Sequence, residues 1–329
     1  MSEMDLAAIC EVLQATMEPD GEARKTAEKR LDEAASGSPD KLVGSLALVL
    51  AAGEKTKPEL RQEAAVILRQ LVTGSAGRDV VWDDLEVSTK KALEVQLLST
   101  LEQDSSNLVK RNTGEVAAAI ANNVAKSVPD LMQEWPELLP ALSRFIGGGS
   151  SACRVVALEV LKELVPNFGD GLMNQGEQVL AMLSTTLGDS EPEVRGASAE
   201  LVLQLVEDLE PEEAKPLAVV MPAIVTVLQG FAKGANEEQL KDTLQAFVSA
   251  ADEEPEFFRD SCFEALWCTI VDLVTAGPAT FADPDVRQQA MEAAMSLACG
   301  LVDDFCKPEC QAQLERIIAL NVEWLLEVE

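Results

Sequence analysis

Histidine and tyrosine are both absent from the 329 residues. Without histidine there is no Ser-His-Asp triad, no Cys-His dyad and none of the commonest zinc sites. The side chain that ordinarily switches charge near neutral pH is missing too. These gaps argue against an enzyme, and no metal or cofactor is expected. No glycine loop cradles phosphate: Gly147-Gly148-Gly149 lacks the following Lys-Ser/Thr and reads as a joint between helices. Basic residues are scarce as well, 26 Lys+Arg against 57 Asp+Glu, for a net charge of −31. Direct binding to nucleic acid or to an anionic membrane is therefore disfavoured, because both present negative charge. A basic protein partner is the natural complement; an acidic face that only keeps the chain soluble is the alternative.

Aromatic residues reach only 4%. Seven cysteines at wide spacings do not form a disulfide framework and fit a reducing setting. Cys10, Cys153, Cys262 and Cys299 stand among apolar residues, where a thiol acts as a small hydrophobe. Cys306-Lys-Pro-Glu-Cys310 is the only tight pair. Long uncharged runs are missing: the longest, Pro216 to Ala232, has 17 residues and two prolines, too short and too broken to span a bilayer. At the N-terminus Glu3, Asp5 and Glu11 stand where a targeting segment would carry basic residues.

What is present is a returning phrase, Arg-x-x-Ala opening an apolar helix. It occurs at Arg24–Ala27, Arg61–Ala64, Arg154–Ala157 and Arg287–Ala290, with degenerate copies at Arg111–Gly114, Arg195–Ser198 and from Lys241. Successive basic residues are 37, 50, 43, 41, 46 and 46 positions apart. That period belongs to HEAT-type repeats, each a pair of antiparallel helices. One pair cannot bury its own apolar face, so neighbours must stack. The expected fold is an all-α HEAT-repeat solenoid, a surface for holding macromolecules. With 47% apolar residues it has ample material for a continuous core.

Helix pairs are expected at 5–17 and 21–35, 40–52 and 58–73, 88–103 and 106–127, and 131–146 and 151–165. Three more follow at 173–188 and 191–208, 212–232 and 236–253, and 256–276 and 284–303, then a last helix at 309–327. Ser190-Glu191-Pro192-Glu193 and Asp283-Pro284-Asp285 each offer a cap, an early proline and acids at the positive end of the dipole. The repeated Arg is expected to reach an acid in the adjoining repeat. The loop from Thr73 to Val87 carries Trp82 and is a reasonable place for a partner to touch. The last helix, with Leu314, Ile317, Ile318, Leu320, Val322, Leu325 and Leu326, is too apolar for a terminal cap. This end is expected to be covered, or the chain to be cut from something longer.

These residues resemble the N-terminal part of the importin-beta (karyopherin-beta) family of nuclear transport receptors. Met17-Glu-Pro-Asp20 with Arg24 and Ala27-Glu-Lys-Arg-Leu31 is similar to the family's first repeat. Arg61-Gln-Glu-Ala-Ala-Val-Ile-Leu-Arg69-Gln70 is similar to its second, and Trp82 followed by Trp135-Pro-Glu-Leu-Leu-Pro140 keeps the order of landmarks. Leu244 to Phe258, with Ala250-Ala-Asp-Glu-Glu-Pro255 and Phe257-Phe258, resembles the importin beta-3 class, which includes receptors for ribosomal proteins and histones.

The resemblance implies a receptor that binds basic cargo and releases it when Ran-GTP binds, without catalysis. It implies contact with phenylalanine-glycine repeats of nucleoporins and shuttling between cytoplasm and nucleus. Residues 1–127 would be the Ran-binding repeats, with Lys29 and Arg69 facing Ran; 128–329 would be further repeats that hold cargo. Basic cargo needs acidic inner helices, for which Glu200, Glu207, Asp208, Asp252, Glu253 and Glu254 are the candidates. Glu200 and Glu207 are two helical turns apart and share a face. The alternative is a HEAT-repeat scaffold that assembles a signalling, chaperone or chromatin complex without Ran.

Overall fold

The computed structural model describes residues 6–19, 21–127, 131–234, 236–276 and 280–327. The apolar residues recur at helical spacing and prolines or glycines fall between the runs, so helix follows helix; no strand occurs among the described residues. The chain divides into two compact units, one ending at Asn167 and one starting at Phe168.

The first unit holds α1 (Leu6–Thr16), α2 (Gly21–Gly37), α3 (Pro39–Leu50), α4 (Pro58–Thr73), α5 (Val87–Gln103), α6 (Asn107–Ser127), the single turn α7 (Leu131–Glu134), α8 (Leu138–Gly148) and most of α9 (Ser151–Met173). The first helices of successive pairs form one row, α1 on α3, α3 on α5 and α5 on α8, while the second helices α4 and α6 pack closely in another. Small residues permit a similarly close approach of α6 to the next second helix, α9. A Cβ on Gly114 of α6 would stand 2.5 Å from a methyl of Val156 on α9.

The second unit repeats the plan with α10 (Gly176–Leu187), α11 (Pro192–Asp208), α12 (Pro211–Ala214), α13 (Met221–Gly234), α14 (Glu237–Glu253), α15 (Pro255–Thr275), α16 (Pro284–Gly300), α17 (Val302–Phe305) and α18 (Pro308–Glu327). Here α10, α13, α15 and α18 pack in sequence, and α11, α14 and α16 form the second row. Phe231, Phe247 and Phe258 are fully buried, with the Phe247 and Phe258 rings edge to face at 4.8 Å. Helix pairs stacked at steps of 37 to 50 residues make this an all-α HEAT-repeat solenoid.

Several local expectations need correction. The helix expected to stop at 165 runs on through Pro166 to Met173. The proline forfeits one backbone bond, to the Lys162 carbonyl, but burial of Leu164, Val165 and Leu172 holds the helix together. The Trp82 loop does not offer its indole to a partner. Trp82 is 6% exposed, the Val81 N–H donates to the Leu71 carbonyl at 2.9 Å, and Lys90 sits over the ring. Trp135 is likewise core, in the turn between α7 and α8. Cys299 is exposed, because it faces outward near the end of α16. Asp283 caps α16 through the Asp285 N–H at 2.9 Å as expected, but at α11 Asp189, not Ser190, takes the Glu191 N–H.

The uncharged run also grows. Its flanks join it into a helical stretch from Pro211 to Gly234, long and apolar enough to cross a membrane by length and composition alone. Leu217, Val220, Met221, Ile224, Leu228 and Phe231 are buried in the protein, which explains the apolarity without a bilayer. In α18, Ile317 is buried while Ile318 and Val322 are exposed; the side chains of Leu325 and Leu326 lie outside the described residues.

The basic ladder is real in part. Arg61 pairs with Asp104, and Lys241 with Asp283 at 3.0 Å, both in the next repeat. Arg195 turns back instead to the carbonyls of Asp189 and Ser190, while Arg154 donates to the Gly149 carbonyl as one of its interactions. In the third repeat the buried Lys110 makes a cross-repeat contact, reaching Cys153 Sγ at 3.1 Å, and donates within its own repeat to the Leu101 carbonyl at 2.5 Å.

Candidate functional site

Acidic side chains gather at the C-terminal ends of two adjacent second-row helices, α11 and α14. Glu207 is half-buried on the last turn of α11, Asp208 closes that helix, and Glu253 and Glu254 close α14. Burial, then the charges of Asp208 and Glu253, push the Glu207 carboxyl above its usual range. Burial pushes Glu254 up as well, with Glu210, Glu256 and Glu253 adding repulsion. Among the described residues Gln204 alone supports this edge with a hydrogen bond, donating to Asp208 at 2.6 Å and more weakly to Glu207. Among the described residues none of these four carboxylates has a basic partner.

The helices make the repulsion worse. A helix C-terminus carries about half a unit of negative charge and normally attracts Lys or Arg. Neither α11 nor α14 has a basic residue in its last turn. Three further acids extend the edge: Glu213 on α12 is raised first by Asp170 of α9 and also by Glu210. Sequence reading missed Glu210, Glu213 and Asp170. Helix ends without a basic residue were the signal that could have found them. Of the residues it named, Glu207, Asp208, Glu253 and Glu254 come together. Asp252 is exposed beside them, and Glu200 lies two turns back along α11 and makes its own interaction.

This strain has a consequence in pH. A carboxyl raised in the folded state binds its proton there first, so stability falls as pH climbs through the raised value. At neutral pH the repulsion is fully present; below the unfolded carboxylate range it is gone. Glu207→Gln therefore raises the melting temperature at pH 7, and the gain fades as the pH is lowered to about 4. Thermal melts at both pH values check this, and an equal gain at both would mean the charge is not its source.

In the first unit the cations are differently placed. Lys29 on α2 is largely exposed and leans on Glu33 at 3.6 Å, one turn along the same helix. Arg69 on α4 is ion-paired with Glu115 of α6. A groove beside that pair, between α6 and α9, is floored by Gly114, Ala118 and Val156 and rimmed by Arg111, Glu159 and Lys162. Lys162 was not singled out from the sequence, and Arg111 only as the start of a degenerate repeat phrase.

A protein-family model described as IPO5-like, TPR repeats matches residues 105–266. Importin subunit beta-3 of Saccharomyces cerevisiae is 22% identical over 77% of this chain and 23% of its own length. Importin subunit beta-1 of Schizosaccharomyces pombe is 25% identical over 75% of this chain and 26% of its own length. The chain thus spans about a quarter of the curated relatives it matches. The crystal structure of Kap121p superposes over 91% of this chain and 27% of that one, with a TM-score of 0.74 at 18% identity. Kap121p bound to RanGTP gives a TM-score of 0.73 over the same share of this chain. The ordered sequence landmarks, the stacked helix pairs and these matches agree, and the chain is similar to members of the importin-beta family.

Proposed function

We propose that the chain works in nuclear import, holding a basic cargo on residues 128–329 and Ran-GTP on residues 1–127, with Ran-GTP binding driving cargo release. The observation that carries the cargo half is the cluster of unpaired carboxylates at the ends of α11 and α14. A site that is strained while empty gains most from a cation: a Lys- or Arg-rich segment relieves the repulsion and forms charge-assisted hydrogen bonds. Long-range attraction to a chain of net charge −31 also speeds the encounter. Glu200 and Asp252 extend the same contact along and beside α11 and α14. Ribosomal proteins and histones have the required chemistry.

Support for the Ran half comes from the family and from Kap121p, which has been crystallised with RanGTP, with Pho4p and with Nup53p. By this reading the chain also meets nucleoporin phenylalanine-glycine repeats and shuttles through the pore. Ran and cargo weaken each other's binding by the same factor, as any linked pair must. Lys29 and Arg69 contribute unequally. Lys29 has only an exposed helical partner, worth a few tenths of a kcal/mol, and is available to an acidic patch on Ran. Arg69 must first leave Glu115.

The test is binding to Ran in its GTP and GDP forms. Lys29→Glu is expected to weaken Ran-GTP binding about tenfold, roughly 1.4 kcal/mol, and Arg69→Glu by less. The paired state of Arg69 favours a second reading, a scaffold that does not use Ran. Equal or absent binding to both nucleotide forms would select it.

A further inference from the structure

Two thiols play no part in the surfaces above. Cys268 is exposed on α15, and Cys310 is half-exposed in the first turn of α18. They are 42 residues apart. Successive repeats touch at this separation elsewhere in the unit, Lys241 to Asp283 at 42 and Trp267 to Gln313 at 46. α15 packs on α18, and the Trp267 indole N–H donates to Gln313 Oε1 at 2.5 Å. Trp267 immediately precedes Cys268. Gln313 lies three residues after Cys310, on the same face of α18. Trp267 also meets Phe305 edge to face at 4.7 Å, which holds the short helix α17 against α15 just before α18 begins. The hydrogen bond and the ring contact thus fix the two helices at the level of the thiols. Cys310 is raised above the ordinary thiol value first by burial, with Lys307 opposing and Asp304, Glu309 and Cys268 adding to it.

We propose that Cys268 and Cys310 form a dithiol that closes into a disulfide between α15 and α18 when it meets a small-molecule disulfide. The exposed Cys268 thiolate attacks one sulfur of the reagent, breaking its S–S bond and releasing one thiol. Cys310, as thiolate, then attacks the Cys268 sulfur of the mixed disulfide, and the second thiol leaves. The protons lost by the two cysteines end on the two released thiols. The protein is oxidised by two electrons and the reagent reduced by two. Raised by burial, Cys310 is the poorer attacker in solution, which suits it to the second, intramolecular step. The bond ties α18 to the helix it packs against.

Oxidised glutathione is the probe, applied to the full native chain, with free-thiol counting and peptide mass mapping as readouts. The expected result is loss of the Cys268 and Cys310 thiols with no glutathione on either, and a linked peptide joining Cys268 to Cys310 that is two hydrogens lighter than its reduced parts. Cys268→Ser and Cys310→Ser each abolish that peptide and leave a glutathione adduct at the surviving thiol. Cys306→Ser leaves the linked peptide intact, although Cys306 is only four residues from Cys310. A bond between Cys306 and Cys310, or adducts with no internal bond, overturns the proposal. So does an equal yield of the same linked peptide from the urea-unfolded chain, since the fold would then contribute nothing.

Discussion

Arg61→Met lowers the stability of the first unit by about 3–5 kcal/mol, the cost of leaving one member of a buried ion pair without its partner. The side chains of Arg61 and Asp104 are 2% and 3% exposed, and they join α4 to the end of α5 in the next repeat. The Nε of Arg61 is buried without a hydrogen-bond partner, so Asp104 supplies the compensation for burying that charge. Burial pulls the Arg61 pKa down and Glu54 pulls it back, which marks the guanidinium as a desolvated group. Asp104 has a second task, accepting the Ser106 N–H at 2.8 Å at the start of α6. The double variant Arg61→Met/Asp104→Asn removes both charges and keeps that bond, so it recovers most of the loss. Urea unfolding followed by circular dichroism measures the difference, and hydrogen exchange locates it in α4 to α6. A double variant no better than the single one would assign the cost to packing alone.

The second large effect is on binding. Reversing two charges of the acidic edge, Glu207→Lys with Glu253→Lys, is expected to weaken a Lys-rich cargo peptide about a hundredfold, at tenfold for each 1.4 kcal/mol. The salt dependence flattens as well, because fewer opposite charges remain to be screened. The same variant is expected to be more stable at neutral pH, since each lysine faces carboxylates that now repel one another. Weaker binding by a more stable protein separates loss of a site from loss of a fold. Binding of the peptide to the unaltered chain also weakens as pH falls, because Glu207 and Glu254 take up protons early. Titration calorimetry at two salt concentrations measures the affinity; unchanged affinity in the double variant would place cargo elsewhere.

Much of the architecture was legible because a solenoid makes its long-range contacts at nearly fixed separations. Arg61 and Asp104 are 43 residues apart, Arg69 and Glu115 46, and Trp267 and Gln313 46, close to the spacing of the repeated arginines. Glu207 and Glu253 stand one such step apart as well, 46 residues. Nomination of both acids therefore came from composition, while their meeting came from the stacking of α11 on α14. The direction of each arginine was not legible. Arg61 and Arg195 begin similar phrases, yet one spans to the next repeat and the other folds back on its own turn. The acid that receives Arg61 is replaced after Arg195 by nearer carbonyls, and choosing between them needs distances. Trp82 misled for a related reason, since polar neighbours in a loop say little about whether an indole docks on the core.

The amino-acid order alone determined the helix pairs, their period and the excess of negative charge, because periodicity and composition act locally and need no partner. Tertiary packing decided which carboxylates crowd together, which cations are already occupied and which thiols are neighbours. Each of these depends on groups about one repeat apart, whose approach is set by how closely small residues such as Gly114 let two helices come.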